Sequence, residues 1–108
     1  MNIEIYIESK RNAYYAKAIY YGEKVVVKKG GQISQDFSNS IRGGNNSRRY
    51  REDRSFVDEN GRIIKDCEFS SLSTAAQFVS GRSISGYTAW KVEKGKAIGK
   101  YLQEKGLR

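Results

Sequence analysis

The sequence contains no histidine and one cysteine, Cys67. Zinc sites are built mainly from these two residue types, so we do not expect one. A Ser-His-Asp or Cys-His arrangement cannot form within a single chain that has no histidine. The GxxxxGK and GxGxxG patterns of nucleotide-binding loops are missing as well, and no spacing of acidic residues suggests a magnesium site or an acid–base pair. We therefore expect a non-catalytic protein without metal or cofactor.

Long apolar runs are also missing. No apolar segment approaches the roughly 20 residues of a membrane span, and the N-terminal residues lack the apolar core of a secretory signal. A single cysteine excludes an internal disulfide and fits a reducing compartment. Because Cys67 lies in a segment of alternating polarity, we interpret it as a buried structural thiol. These features predict a cytoplasmic protein that does not enter a membrane.

Positive charge is abundant. The 20 lysines and arginines exceed the 12 acidic residues and give a net charge of +8. A small basic domain favours an anionic partner, with nucleic acid ahead of a membrane surface. The alternative is simple solubility, since a charge of about 8 is ordinary for a small soluble domain.

The hydrophobic pattern predicts one α+β domain over the 108 residues. Ile3, Ile5 and Ile7 share one face of a half-buried strand, and Val25–Val27 begin another after a tyrosine-rich segment. We expect an N-terminal antiparallel sheet of three to four strands packed against two to three short helices. The predicted order is a sheet-rich region at 1–35, a flexible loop at 36–46, a helix, a strand, a helix and a Trp-bearing strand within 47–91, and a C-terminal helix at 96–105.

Five tyrosines crowd the predicted sheet: Tyr6, Tyr14, Tyr15, Tyr20 and Tyr21. Successive strand residues point to opposite faces, so these rings must lie on both. Packing in the core or at an edge is the interpretation we favour for most of them. A stacking platform for nucleic-acid bases is the alternative.

The densest basic cluster follows the glycine- and asparagine-rich loop. Arg42 precedes a helix predicted to begin near Ser47 and to end at Asn60-Gly61, and Arg48, Arg49 and Arg51 lie on that helix. The planar guanidinium fork suits phosphates and guanine edges. A solvated helix face with local Arg–acid pairs is the alternative.

The most ordered stretch runs from Phe69 to Lys91. Leu72, Ala75, Ala76 and Val79 form one apolar stripe of a short helix, with Ser71 as its N-cap and Gly81 as a left-handed C-terminal cap. Residues 82–86 are predicted to form a polar turn, in which Gly86 can take a positive φ at little cost. A short strand from Tyr87 to Lys91 then carries Trp90, which we expect in the core.

This stretch follows the pattern F-S-S-x-S-x-A-A-x-x-V-x-G-R-S-x-x-G-(aromatic)-x-x-W-K. It resembles the small domain of unassigned function that is appended to GIY-YIG nucleases and restriction–modification proteins, and it is similar to the RAMA domain, a module thought to read modified DNA. The resemblance implies a DNA-reading function with a nuclease or methyltransferase subunit as a partner. Leu72, Ser85 and Tyr87 stand where proline, asparagine and tryptophan are usual, and the changes at Ser85 and Tyr87 bear on any base readout.

We therefore expect a non-catalytic module that binds double-stranded DNA. Its predicted nucleic-acid-binding residues are the arginines Arg42, Arg48, Arg49, Arg51 and Arg82, the serines Ser70, Ser71 and Ser85, and Tyr87 and Lys91. Ser70 and Ser71 start the central helix, where backbone N–H groups favour anions. Ser85 belongs to the turn that follows this helix, and Tyr87 is expected to present an exposed ring. A DNA reader should place Arg48, Arg51, Arg82 and Lys91 on one face. The rival hypothesis is a protein-interaction module, such as an accessory subunit or a small phage-type inhibitor, because tyrosine and arginine are also enriched in protein interfaces.

Overall fold

The computed structural model describes residues 1–38 and 45–108, without the side chain of Lys94. These residues form six strands and four α-helices in one α+β arrangement. The strands are β1 (Ile3–Glu8), β2 (Tyr15–Tyr20), β3 (Val25–Val27), β4 (Cys67–Phe69), β5 (Lys91–Val92) and β6 (Lys96–Ala97). The helices are α1 (Asn45–Glu52), α2 (Leu72–Ser80), α3 (Gly86–Ala89) and α4 (Ile98–Glu104), with a 3-10 turn at Glu93–Gly95.

The strands form a single sheet in the order β4-β3-β2-β1-β5-β6, and every strand pair is antiparallel. The antiparallel sheet predicted at the N-terminus is confirmed, but the expected three to four strands and two to three helices are too few. The predicted Trp-bearing strand from Tyr87 to Lys91 overlaps β5 only at Lys91, and the sequence pattern misses β6, because two residues are too short to show alternation. Both strands are defined by pairing across the chain, as between Tyr6 and Lys91.

One face of the sheet forms the core with the helices. Alternate strand residues are buried there, namely Ile5, Ile7, Ala16, Ala18, Val25, Val27, Cys67 and Phe69. The apolar stripe of α2 is buried with them, as predicted. Burial raises the pKa of the Cys67 thiol to about 12, so the thiol stays neutral and its interpretation as a buried structural residue is confirmed.

The opposite face of the sheet carries the intervening residues, and we call it the open face. It includes Tyr6, Tyr15, Lys17 and Lys91, whose side chains are exposed or half-buried. The tyrosines predicted for the sheet are therefore divided, since Tyr14 and Tyr20 pack against the core.

Both ends of α2 follow the sequence prediction. The Ser71 hydroxyl accepts a hydrogen bond from the Thr74 N–H at 3.1 Å, which satisfies one of the unpaired donors of the first turn. Gly81 ends the helix with φ +70°, and its N–H donates to the Gln77 carbonyl. A side chain at this position would also meet the Asp36 carbonyl oxygen, so the cap brings segment 34–38 against α2.

The segment after α2 differs from the prediction. Tyr87 lies in α3 rather than in a strand, and Trp90 lies between α3 and β5. Gly86 is not among the residues with positive φ. A Cβ at Gly86 would lie 2.2 Å from the Leu72 carbonyl carbon, so glycine is needed there because two helices approach closely. Trp90 is fully buried, as expected, and its indole N–H donates to the Leu72 carbonyl at 2.9 Å.

Two other helix boundaries also differ. The arginine-bearing helix ends at Glu52, well before Asn60-Gly61, and the C-terminal helix begins at Ile98 because Lys96 and Ala97 form β6. Within the described ranges, no helix has the length and apolar character needed to cross a membrane.

Candidate nucleic-acid interface

Arg51 ties α1 to the segment before the loop. Its guanidinium donates to the Ser34 carbonyl and to the Ser34 hydroxyl at 2.8 Å, and it also contacts the Asp36 carbonyl. Its Nε is buried and has no partner among the described residues. Desolvation lowers the pKa of Arg51 to about 10, so the side chain is still charged at neutral pH. Arg51 is half-buried, and its guanidinium is engaged within the fold.

Arg48 and Arg49 point outward from the same helix. Both are exposed, and the Arg48 guanidinium lies 5.1 Å from the centre of the Phe37 ring. Neither forms an ion pair with a described residue. These two side chains are therefore available to an anionic ligand.

Arg82 follows the C-terminal cap of α2, the helix on which α1 packs. The Ser47 hydroxyl donates to the Thr74 carbonyl at 2.9 Å, which fixes α1 on α2. The Ser38 N–H donates to the carbonyl of Gly81 at 2.8 Å, immediately before Arg82. The Ser47 contact is at the first turn of α2 and the Ser38 contact is at its C-terminal cap, so α1 and segment 34–38 both lie along α2, with Arg48 over Phe37.

The two segments that meet here both lack acidic residues. Residues 37–51 and 69–92 contain no aspartate or glutamate, although the chain has 12 acidic residues. Their contact therefore brings together two segments without a carboxylate, which are flanked along the chain by Asp36, Glu52 and Glu68. We call the exposed residues of 45–51 and 81–83, together with the half-buried residues of α2, the acid-free surface. The spacing of acidic residues, rather than the number of arginines, is the sequence signal for it.

Ser70 and Ser71 lie at the other end of α2. The nine-residue helix is about 13 Å long, which separates them from Arg82. The Ser71 hydroxyl is engaged with the Thr74 N–H and lies 2.8 Å from the Thr74 hydroxyl, whereas Ser70 is exposed.

Tyr87 does not present the exposed ring that we expected. The ring is half-buried, and the Arg108 guanidinium lies over it at 3.9 Å from its centre. Gly99 of α4 is packed against the same side chain. Ser85 is exposed at the start of α3 and lines a hollow of about 480 Å³ with Glu8, Tyr14, Lys91 and other residues.

Lys91 lies apart from the arginines. It lies on the open face beside Tyr6, and its amine donates to the Thr88 carbonyl at 2.7 Å. α1 lies near the opposite edge of the sheet, because its Tyr50 hydroxyl accepts a hydrogen bond from the Glu68 N–H of the outer strand β4. Four strand spacings, about 19 Å, separate β4 from β5. Arg48, Arg51, Arg82 and Lys91 thus do not share one face. Arg42 falls outside the described residues.

Within 1–38 and 45–108, no group of three or more potential ligand side chains is placed to hold a metal ion. The predicted site residues carry cationic, hydroxyl and aromatic groups, which suit non-covalent binding.

A family model described as a domain of unknown function, DUF4357, matches residues 5–102. The chain belongs to this family. The match begins within β1 and ends within α4, so it includes both the sheet and the acid-free surface of this DUF4357 domain. No curated protein and no solved structure matches the chain.

Proposed function

We propose that this DUF4357 domain is a non-catalytic DNA-binding module that holds the phosphates of a duplex on its acid-free surface. The observation that carries the proposal is the contact between two segments that contain arginines and no acidic residue. Phosphate contacts by Lys and Arg release counterions from DNA and provide most of the sequence-independent affinity.

Arg48, Arg49 and Arg82 are the phosphate-binding residues in this proposal. Their guanidinium groups lie on well-defined elements, because α1 is fixed on α2 by Ser47 and segment 34–38 is fixed by Arg51. Ser70 lies just before α2 and adds an exposed hydroxyl at the other end of that helix. Arg51 acts indirectly, by holding α1 in place, and a change there would report on folding.

The experiment is fluorescence anisotropy of a labelled duplex at salt concentrations between about 50 and 200 mM, since phosphate contacts make affinity strongly salt-dependent. The variant Arg48→Glu/Arg49→Glu should bind much more weakly than the wild type. The slope of log affinity against log salt should fall by about 2, because two phosphate contacts are lost.

The matched control is Arg11→Glu/Lys100→Glu. It makes the same change in net charge at exposed positions, one between β1 and β2 and one on α4. If both pairs weaken binding equally, overall charge and not the acid-free surface explains the affinity. Failure of the wild type to bind at about 50 mM salt would contradict the DNA proposal and favour the protein-interaction alternative.

The resemblance to modified-DNA readers adds a finer part to the proposal. We propose that the module acts in the cytoplasm, in a restriction–modification or mobile-element setting, beside a nuclease or methyltransferase subunit that supplies the chemistry. Ser85 is the residue to test for base readout, because the Tyr87 ring lies under Arg108. A preference for a base-modified duplex that disappears in Ser85→Ala would support this part, and equal binding of both duplexes would contradict it.

A further inference from the structure

The open face carries two tyrosine rings in a fixed diagonal relation. The pairing of β1 with β2 places Tyr6 opposite Lys17 and Glu8 opposite Tyr15. Tyr6 and Tyr15 are therefore diagonal neighbours on the same face, about 7–8 Å apart, with Lys17 beside both. Tyr15 is 36% exposed and Tyr6 is half-buried. Each ring has a surface that faces away from the core.

Cations surround these rings. Lys17 and Lys91 lie directly opposite Tyr6 on its two neighbouring strands. The Lys28 N–H donates to the Lys17 carbonyl at 2.8 Å, which adds Lys28 to the same row. With strands about 4.8 Å apart, the row from Lys28 to Lys91 spans about 14 Å. A further cation lies at Tyr15, whose hydroxyl accepts from the Arg62 guanidinium at 2.8 Å.

The cations of this row differ in whether they form an ion pair. Lys17 is exposed and forms no ion pair with a described residue, while Lys28 is paired with Asp66 at 2.8 Å. Glu4 and Glu8 lie on the same face at either end of β1, so the row of cations is limited on both sides by carboxylates. An anionic chain that crosses this face must therefore follow the row rather than spread over the face.

A hollow of about 400 Å³ lies beside Tyr6. Its lining includes Tyr6, Glu8, Lys10, Asn12 and Lys91, so both cations and a carboxylate border it. The rings and the row of cations beside it match the flat base and the phosphate of a nucleotide.

We propose that the open face binds a single-stranded nucleic acid, with adjacent bases on Tyr6 and Tyr15 and the backbone along Lys17 and Lys91. Stacking on aromatic rings requires bases that are not paired within a duplex, which is why the occupant is single-stranded. This surface is distinct from the acid-free surface and does not depend on the proposed duplex binding, because the acid-free surface lies on the helices that cover the other face of the sheet.

The test is anisotropy of a labelled oligothymidine of about 12 nucleotides, near the site sizes of single-strand-binding domains. Tyr6→Ala and Tyr15→Ala should each lower affinity about tenfold or more, since each ring stacks one base. Tyr6→Phe and Tyr15→Phe keep the rings and should bind within about twofold of the wild type. Glu4→Gln/Glu8→Gln should raise affinity, because two carboxylates are removed beside the phosphates.

Tyr101→Ala on α4 is the matched control for removal of a half-buried ring, and it should leave affinity unchanged. Thermal unfolding of each variant separates loss of binding from loss of fold. If an alanine variant unfolds, two other variants still test the proposal. Glu4→Gln/Glu8→Gln should raise the affinity for the oligonucleotide, and Lys17→Gln should lower it.

The proposal is overturned if the wild type does not bind the oligonucleotide at about 50 mM salt, or if folded alanine variants bind as the wild type does. It also fails if Arg48→Glu/Arg49→Glu weakens single-strand binding as strongly as duplex binding, since one surface would then serve both. Duplex affinity is measured separately, so either proposal can fail while the other holds.

Discussion

The acid-free surface and the open face are both basic, but their cations are arranged in different ways. On the acid-free surface, Arg48, Arg49 and Arg82 come from segments that contain no acidic residue. On the open face, Lys17 and Lys91 lie between Glu4 and Glu8. The first arrangement suits an extended polyanion that makes many contacts, and the second suits a narrow strand that follows one row. A net charge of +8 does not distinguish the two surfaces, whereas the positions of the carboxylates do.

The two regions also differ in what holds them together. The acid-free surface depends on close backbone approach, at Gly81 against Asp36 and at Gly86 against Leu72. The open face depends on the six-residue register of β1 with β2, with a close backbone approach at Gly31 against Tyr15. A small change in volume at the helix contacts should therefore disrupt the helical region much more than the register of β1 with β2.

The largest expected effect comes from Gly86→Ala. The new methyl group would overlap the Leu72 carbonyl carbon at 2.2 Å, so α3 must move away from α2. We expect the free energy of unfolding to fall by about 3 kcal/mol, the upper part of the range for overpacking, as measured by urea denaturation.

Gly30→Ala is the control for this change. Gly30 has φ +105°, but a Cβ added there would have no neighbour within 4 Å, so only backbone strain of about 1–2 kcal/mol is expected. Equal destabilisation by both variants would show that close packing at Gly86 is not what organises the helical region.

The sequence predicts α2 and β1 well because their signals are local. The serine cap, the glycine cap and the apolar stripe of α2 all lie within eleven residues, and the alternating isoleucines of β1 are close together along the chain. The division into short helical and strand elements after Gly81 is different, because α3 and β5 follow from contacts with Leu72 and Tyr6. Such contacts leave no periodic pattern in the sequence.

In the candidate site, too, tertiary contacts could not be predicted from the sequence pattern. Exposure of Arg48 and Arg49 follows from the helix pattern, but the burial of Arg51 depends on Ser34, 17 residues earlier. The covering of Tyr87 depends on Arg108, which belongs to another part of the fold. A residue type identifies which chemistry is available, and tertiary contacts decide which side chains are used within the fold.

A smaller effect is expected at the start of α2. Ser71→Ala removes the hydroxyl that accepts the Thr74 N–H, so the free energy of unfolding should fall by about 1 kcal/mol. Ser70→Ala, at an exposed neighbour that is not the cap, should stay within about 0.5 kcal/mol of the wild type. If instead Ser70→Ala destabilises more in chemical denaturation, the assignment of Ser71 as the N-cap is wrong.

The smallest effect is expected beside the open face, at Asp66. Hydrogen bonds from the Lys28 amine and the Lys29 N–H lower the pKa of this exposed carboxyl. Its stabilising contribution is therefore present above the unfolded pKa of about 3.9 and is lost as the pH falls through the lower folded pKa. Asp66→Asn should show a slightly smaller fall in Tm than the wild type between about pH 5 and pH 2.

The control for this pH series is Glu59→Gln, at an exposed acid that has no ion pair with a described residue. Its Tm should fall with pH as the wild type does. A profile for Asp66→Asn that coincides with both would mean that the Lys28–Asp66 pair has no influence on stability.

The short outer strands of the sheet have a consequence for how the domain behaves at high concentration. β6 has two residues and β4 has three, and the Glu68 N–H at the β4 edge is bonded to the Tyr50 hydroxyl. Long, flat edge strands present rows of unpaired backbone groups that recruit strands from other molecules. Edges this short give a second copy little to pair with, so the sheet resists edge-to-edge aggregation.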